Sequence, residues 1–321
     1  MAPRRLGLAT LALLLAAAPF AAPWIKLFLI LTLAKGLAVL GVIVLLQAGQ
    51  VSFGHALFFC FSAYICAFAG RTLGGGELVS LLLVSALGAG LLGLAVGLFV
   101  VRYRYIFFGM LNLAFSMVFF SILEKFTNLT GGSDGIRIRR PSVLGVAVER
   151  AQFEWALYAA VTVFALASAF AVSRYFASPP GEMLRAIKSN ETRLEYVGAS
   201  AKRVLLAAYV VSAVLCGLGG AVTALVQGLA TPDFGFWTRS GELVFIAIRG
   251  GSGYVAGAFV GAALFEGLRS GAAVFFSDAW QLTLGVALLL IVIYAPEGVC
   301  GLVAKYWRRG SAGASEAGGS L

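Results

Sequence analysis

The chain alternates long apolar runs with short polar breaks. A helix crossing the hydrocarbon core of a bilayer needs about 20 mostly apolar residues. Runs of that kind cover about Leu6–Ala22, Trp24–Leu46, His55–Gly70, Leu78–Val101, Ile106–Phe126, Phe153–Phe176 and Val204–Leu229. The signal then becomes ragged, with shorter apolar pieces at Gly241–Ile248, Tyr254–Leu268 and Leu282–Ala295. The pattern predicts an all-α, polytopic integral membrane protein with about 8–10 transmembrane helices. The first run has two readings. It is a span, or, with Arg4-Arg5 ahead of it and Ala-Pro-Phe-Ala at its end, a cleaved signal peptide.

Composition agrees with the pattern. Of 321 residues, 60% are hydrophobic and only 12% charged, half the share of an ordinary soluble domain. The 40 glycines suit helices that must approach closely where no hydrophobic force drives them together. Cys60, Cys66, Cys216 and Cys300 all fall inside apolar runs and read as small buried hydrophobes, without disulfide or metal spacing. The net charge of +10 is scattered through short loops, which fits a positive-inside topology and gives no nucleic-acid footprint. Counting spans from a cytoplasmic N-terminus puts Arg102, Arg104, the stretch Arg174 to Arg203, and Lys305, Arg308 and Arg309 inside. The outside keeps Arg71, the Thr127–Gln152 loop with Arg137, Arg139, Arg140 and Arg150, and the Thr231–Arg239 loop.

One charged island interrupts this pattern, SPPGEMLRAIKSNETRLEYVGASAKR from Ser178 to Arg203. Pro179 and Pro180 stop the preceding helix, and Gly181 opens a new segment. Met183, Leu184, Ile187, Leu194 and Val197 fall on one face at helical spacing, with Arg185, Lys188, Glu191 and Glu195 on the remainder. Gly198 suits a C-cap, and Lys202-Arg203 mark re-entry into the membrane. The island is thus a short amphipathic helix at the cytoplasmic face, either lying on lipid headgroups or docking a cytoplasmic partner.

Other polar interruptions carry candidate chemistry. AGQVSFGHA places Gln50, Ser52 and the only histidine, His55, in an apolar context. Broken backbone inside lipid must line a cavity or be packed in protein, so the stretch borders a transport path or makes a tight turn with His55 at the interface. TGGSDGI, in the outer loop, reads as an ordered turn or as a contact for a solute-binding protein, with Ser133, Asp134, Arg137 and Arg139 available. Gly250, Gly251 and Gly253 break the stretch from Leu243 to Leu268, as a close helix crossing or a re-entrant break. Among charges within spans, Glu124, Glu266 and Arg269 can reach an interface, and the last two can pair; Lys35 lies mid-span and is the pathway candidate. The dipeptide Gly-Lys is absent, so the chain holds no ATP-binding P-loop, and no catalytic triad, carboxylate pair or metal cluster is spelled out. An enzyme, a cofactor and a metal are therefore not expected.

Several of these stretches together resemble a known family. Leu184-Arg185-Ala186-Ile187-Lys188-x-Asn190-Glu191, followed by Gly198, is similar to the cytoplasmic coupling loop of branched-chain amino-acid ABC transporter permeases of the LivM type. Ala48–Ala56, Thr130–Ile136, Gly250–Gly253 and Ala295–Gly298 resemble that family's other signatures, in order, over about Leu27 to Leu302. The resemblance implies a single permease domain over residues 1–306, with its coupling loop at 178–203 and a disordered cytoplasmic tail at 307–321. It also implies cytoplasmic ATP-binding subunits, a sister permease, a periplasmic solute-binding protein and a bacterial inner-membrane location with both termini cytoplasmic. The solute class it implies is branched-chain amino acids, with urea, short amides or aromatic acids as alternatives handled by similar permeases. Arg249 before the glycines, Tyr254 after them, and the aromatic Phe234–Trp237 loop depart from the pattern and bear on the solute. The rival classes are an ion-coupled secondary transporter, for which buried carboxylates are scarce, and a non-transporting scaffold subunit.

Overall fold

A computed structural model describes residues 23–275 apart from 73–75, 144 and 147, together with 282, 285 and 286. The run Leu6–Ala22, the segment Leu282–Ala295 with its Ala-Pro-Glu-Gly motif, Cys300 and the tail therefore lie outside the described residues, three positions excepted. The described chain is helical almost throughout. Five helices are long and apolar enough to cross a membrane, and a sixth crossing is counted if one bent pair is a single span.

The order begins with α1 (Pro23–Gln47), α2 (His55–Thr72), α3 (Leu78–Val100), α4 (Tyr105–Lys125) and a single turn, α5 (Thr127–Thr130). A loop containing β1 (Ile136–Arg137) leads to α6 (Arg150–Phe176), the island helix α7 (Pro179–Tyr196) and α8 (Ala201–Gln227). After β2 (Leu229–Ala230), which pairs antiparallel with β1, the chain makes a 3-10 turn at Pro232–Gly235 and enters α9 (Trp237–Gly250) and α10 (Val255–Phe275). The last two meet at a bend of 117°.

The hub is α8, which packs against α1, α2 and α3. Its sequence explains why. Inside lipid, association rests on close packing and interhelical hydrogen bonds, which small residues permit. The segment Cys216-Gly-Leu-Gly-Gly220 supplies them. A Cβ on Gly217 would collide with Ala89 of α3, on Gly219 with the Ala34 carbonyl of α1, and on Gly220 with the Phe59 carbonyl of α2. From the other side, a Cβ on Gly41 of α1 would stand 2.6 Å from the Ser212 carbonyl of α8. Ser212 Oγ donates to the Gly41 carbonyl at 2.6 Å, and Ser62 of α2 donates to the Ser85 carbonyl of α3 at 3.0 Å. As a result α1 is enclosed along most of its length, whereas α3, α4 and α6 keep one leucine- and phenylalanine-rich side exposed. Cys60, Cys66 and Cys216 are buried and unbridged, packed as apolar residues.

Two helices start deep inside this hub. His55, the first residue of α2, bonds Ser212, which lies 11 residues from the start of α8 and 15 from its end (201 to 212, 212 to 227). That is about 16 Å from the nearer end of the hub helix. Ser240, in the first turn of α9, accepts a hydrogen bond from the Ala56 amide at 2.8 Å, so α9 also begins at this depth. The chain reaches the two starting points through non-helical stretches, residues 48–54 and 228–236.

The glycine hub yields a direct test. Gly220→Ala pushes a methyl group into the Phe59 backbone and is expected to cost about 1–3 kcal/mol, read as a lowered melting temperature of the detergent-solubilised protein. Gly267→Ala in α10, where an added Cβ meets nothing, is expected to leave the melting temperature unchanged or raise it slightly.

Candidate functional site

The island folds as an amphipathic helix flat against one end of the bundle. It begins at Pro179, two residues ahead of Gly181, because Pro179 and Pro180 occupy its first turn, where proline's missing N–H and fixed φ do no harm. Leu184, Ile187 and Leu194 are buried against the bundle. Val197, placed on the same face by spacing alone, is instead exposed. Asn190 breaks the helix with extended backbone (φ −164°, ψ 99°), and its Oδ1 accepts from the Arg193 amide at 3.0 Å, capping a second short piece on a new axis. Gly198 follows with φ 88°, as its C-cap role required.

Three contacts hold α7 to its neighbours. Arg104, in the α3–α4 connection, makes a bidentate pair with Glu191, at 2.8 Å from Nε and 2.7 Å from Nη2. The stem of Lys188 packs on Gly49, at the turn after α1; a Cβ there would lie 3.1 Å from Lys188 Cγ, and the backbone is left-handed (φ 71°). Arg185 donates to the Phe176 carbonyl at 3.0 Å and pairs with Glu182. Ala186 is half-buried, whereas Arg185, Lys188 and Asn190 remain exposed.

The Ala48–Ala56 stretch links this end of the bundle to its middle. Gln50 is buried and its Oε1 accepts from the Tyr105 amide at 2.9 Å, tying the turn to the start of α4. Ser52 Oγ accepts from the Gly54 amide at 3.3 Å. His55 is not interfacial. It is fully buried; since Ser212 donates onward to Gly41, His55 Nε2 donates to Ser212, at 2.6 Å. Cys216 Sγ donates to the His55 carbonyl at 3.2 Å.

Further along α1, toward its first residue, lies a buried ion-pair cluster. Lys35 of α1 meets the carboxylates of Glu242 in α9 and Glu266 in α10, and its ammonium stands 4.5 Å from the centre of the Phe265 ring. Arg239 pairs with Glu242 at 3.2 Å and lies 6.0 Å from the Phe234 ring, while Arg269 is 3.9 Å from Glu266. Signs alternate along the row Arg239, Glu242, Lys35, Glu266, Arg269. Glu266 therefore serves mainly the lysine of another helix, and its expected pairing with Arg269 is secondary. Here α1 is joined to the consecutive helices α9 and α10, with 207 positions between Lys35 and Glu242, and each charge removed from water is offset by a partner. Sequence reasoning did not single out Glu242, Arg239 or Ser240. An acidic residue within a short apolar helix, three positions after an arginine, was the available signal.

The glycine break is a helix crossing as well as a bend. A Cβ on Gly250 would collide with the Gly257 carbonyl, and one on Gly261 would stand 3.0 Å from the Gly250 Cα. Gly251 carries φ 106°, whereas a Cβ on Gly253 meets nothing. Gln47, at the end of α1, donates to the Ser252 carbonyl at 3.0 Å and fixes the bend at the island end. Ser133, Asp134, Arg137 and Arg139 all lie exposed at the opposite end, on the loop that β1 anchors to β2. Among the described residues no group of three or more His, Cys, Asp or Glu side chains is placed to hold a metal ion.

Replacing Lys35 by methionine leaves two buried carboxylates facing each other. The expected cost is about 3–5 kcal/mol, measured as a fall in melting temperature in detergent. Adding Glu242→Gln and Glu266→Gln to Lys35→Met is expected to recover much of that loss, because the two enclosed carboxylates are then neutral and the cations left, Arg239 and Arg269, are the partly exposed members of the row.

Comparison with known proteins places the chain among transport components. The family described as "Branched-chain amino acid transport system / permease component" matches residues 25–294. The high-affinity branched-chain amino acid transport system permease protein LivM of Escherichia coli (strain K12) is 26% identical over 277 residues. That alignment covers 78% of this chain and 64% of the relative, so the chain spans somewhat under two thirds of the relative's length. The protein of the same description from Salmonella typhimurium (strain LT2) matches with the same identity and coverage. No solved structure matches. With its apolar helices packed around a glycine-rich hub and the family's pattern running through nearly all of them, the chain is a multi-pass membrane protein and belongs to the branched-chain amino acid transport permease family.

Proposed function

We propose that the chain is a transmembrane subunit of an ATP-driven importer of branched-chain amino acids in the bacterial inner membrane. The observation that carries this reading is the seating of α7. A helix that rests on a lipid surface turns its apolar side to the lipid. Here Leu184 and Ile187 face the protein's own bundle, and the exposed surface is polar and charged. The Arg104–Glu191 pair and the Gly49–Lys188 packing tie that helix to the α3–α4 connection and to the turn after α1. A push on the exposed face would therefore be passed into the α1 and α4 ends, which suits a seat for a cytoplasmic ATP-hydrolysing subunit. Leu184, Arg185, Ala186, Ile187, Lys188, Asn190, Glu191 and Gly198 form that seat.

In this reading the island end is cytoplasmic and the β1–β2 end periplasmic. There Ser133, Asp134, Arg137 and Arg139 meet a solute-binding protein, and a sister permease covers part of the exposed apolar surface. The two buried helix starts and the polar residues near them, Lys35, Gln50, Ser52 and His55, lie where alternating access places a solute path, at mid-depth beside discontinuous helices. The bend at Gly250, Gly251 and Gly253 supplies a joint on one side of it. The aromatic approach through Phe234, Phe236 and Trp237 keeps aromatic acids as the second solute class.

Ala186→Pro tests the seat. Proline in this helix removes a backbone hydrogen bond and clashes with the preceding turn, at a cost of about 3 kcal/mol or more, confined to a surface helix. ATP-dependent leucine uptake by cells carrying the complete transporter is expected to fall below a tenth of its normal rate, with membrane insertion unchanged by immunoblot. Normal coupled uptake in that variant would contradict the role given to α7.

A further inference from the structure

A cavity of about 440 Å³ opens beside the starts of α1 and α6, away from both the seat of α7 and the Lys35 cluster. One part of its wall is apolar. Leu27, Ile30 and Leu31 of α1 and Phe153 and Leu157 of α6 line it at helical spacing, with Leu225 of α8 beside them. The rest is basic. Arg139 and Arg140, from the loop after β1, and Arg150, the first residue of α6, also line it, and Glu154 is the one carboxylate among the lining residues. That carboxylate is already engaged, by Lys26 at 2.8 Å and by Arg150 at 3.3 Å. Among the described residues, neither Arg139 nor Arg140 has a side-chain hydrogen bond or ion pair. Both α1 and α6 bring their N-terminal ends here, with no acidic residue in either first turn. Residues 1–22, which lead into α1, contain two arginines and no carboxylate, so they do not supply the missing charge. The setting is the membrane interface. Trp24 and Trp155, exposed and within a turn of the lining residues, are of the type that gathers at headgroup level. From Arg150 to Leu157 the wall runs about 10 Å down α6, and Ile30 stands as far along α1 from Pro23. A small soluble anion, or an acidic side chain of a docking protein, uses the basic rim and has no use for such an apolar wall; a phospholipid uses both.

We propose that this cavity binds one anionic glycerophospholipid of the surrounding bilayer. Its phosphodiester lies among the guanidinium groups of Arg139, Arg140 and Arg150, and an acyl chain follows the apolar wall of α1 and α6. Because Glu154 is held by two cations, no free carboxylate is left for the ammonium of a zwitterionic headgroup, and the site selects net negative charge. The lipid ties the starts of α1 and α6 to the loop whose Ile138 amide donates to the Gly228 carbonyl at 2.9 Å. It thereby braces the β1–β2 link that leads on to α9. Placement in the outer leaflet rests on the orientation proposed above, whereas the site itself rests on the cavity and its charges. Arg139 also belongs to the surface given to the solute-binding protein, so Arg140 and Arg150 are the residues to vary.

The test is native mass spectrometry of the full chain, purified in mild detergent with the subunits that accompany it, depleted of lipid and titrated with dioleoylphosphatidylglycerol. One tightly held lipid per chain is expected, together with a raised melting temperature; dioleoylphosphatidylethanolamine at the same concentration is expected to give neither. Sodium phosphate and glycerophosphoglycerol, the headgroup without its chains, are expected not to displace the lipid. Arg140→Gln combined with Arg150→Gln is expected to weaken lipid binding at least tenfold. Both side chains are exposed, so the lipid-free melting temperature is expected to stay unchanged. Leu27→Trp, at a partly exposed position of the apolar wall, is expected to weaken binding at least threefold, and it decides the matter should the double variant fail to fold. Wild-type lipid affinity in these variants, or equal binding of phosphatidylethanolamine, overturns the site. Displacement by phosphate or glycerophosphoglycerol assigns the rim to a soluble anion. Loss of solute-binding-protein association in the double variant, with lipid affinity unchanged, assigns it to that protein. Either result overturns the lipid site.

Discussion

Hydrocarbon cannot solvate a polar group, and that constraint governs where this chain spends its few charges and many glycines. Helices in lipid gain little from burying leucine against leucine, so cohesion comes from backbones that approach to contact. The Gly217, Gly219 and Gly220 patch on α8 draws in α3, α1 and α2 respectively, and Gly41 returns the contact from α1. With those backbones locked together, α2 and α9 can begin in mid-bundle, because their first amides find partners inside protein. Ser240 serves the amide of Ala56, and Ser212 joins His55 to α1. Without the hub those two helix starts would stand unsatisfied in lipid.

Two of the paired charge groups among the described residues are linked through α1. One is the island at the bundle end, held by Arg104 and Glu191. The other is the Lys35 cluster, about 18 Å along α1 from its first residue. Between them run α1 and the turn at Gly49, so the surface helix and the mid-depth cluster share one rigid element. The bent pair α9–α10 is fastened to that element at two levels, by Lys35 at mid-depth and by Gln47 at the bend. A movement of α7 against α1 would therefore bear on the bent pair at both levels.

Much of this was legible in the sequence, for reasons that differ by element. Spans are dictated by the thickness of the hydrocarbon, and the runs read as Leu78–Val101 and Val204–Leu229 became α3 (Leu78–Val100) and α8 (Ala201–Gln227). The island's amphipathic face was equally plain at Leu184 and Ile187. Its boundaries were not, because proline both ends one helix and begins another, and because Asn190 found a local cap that turned Val197 outward. Lys35 stood out as a mid-span charge, but Glu242 lies 207 positions away, and no local pattern joins them. The turn-formers around His55 left it either beside a path or at the interface; only tertiary packing against Ser212 shows that the turn runs inward.

Family membership makes the chain a transport permease component, and the seating of α7 supports the proposal that its energy is delivered from outside the chain. The most direct measurement is to purify the tagged chain from its own membranes in mild detergent and identify every protein that accompanies it by mass spectrometry. One or two P-loop ATPases and a second permease are expected in stoichiometric amounts, and are expected to be lost when the exposed face of α7 is disrupted. A chain that emerges alone, or only with copies of itself, would contradict the ATP-driven mechanism and leave α7 without its partner.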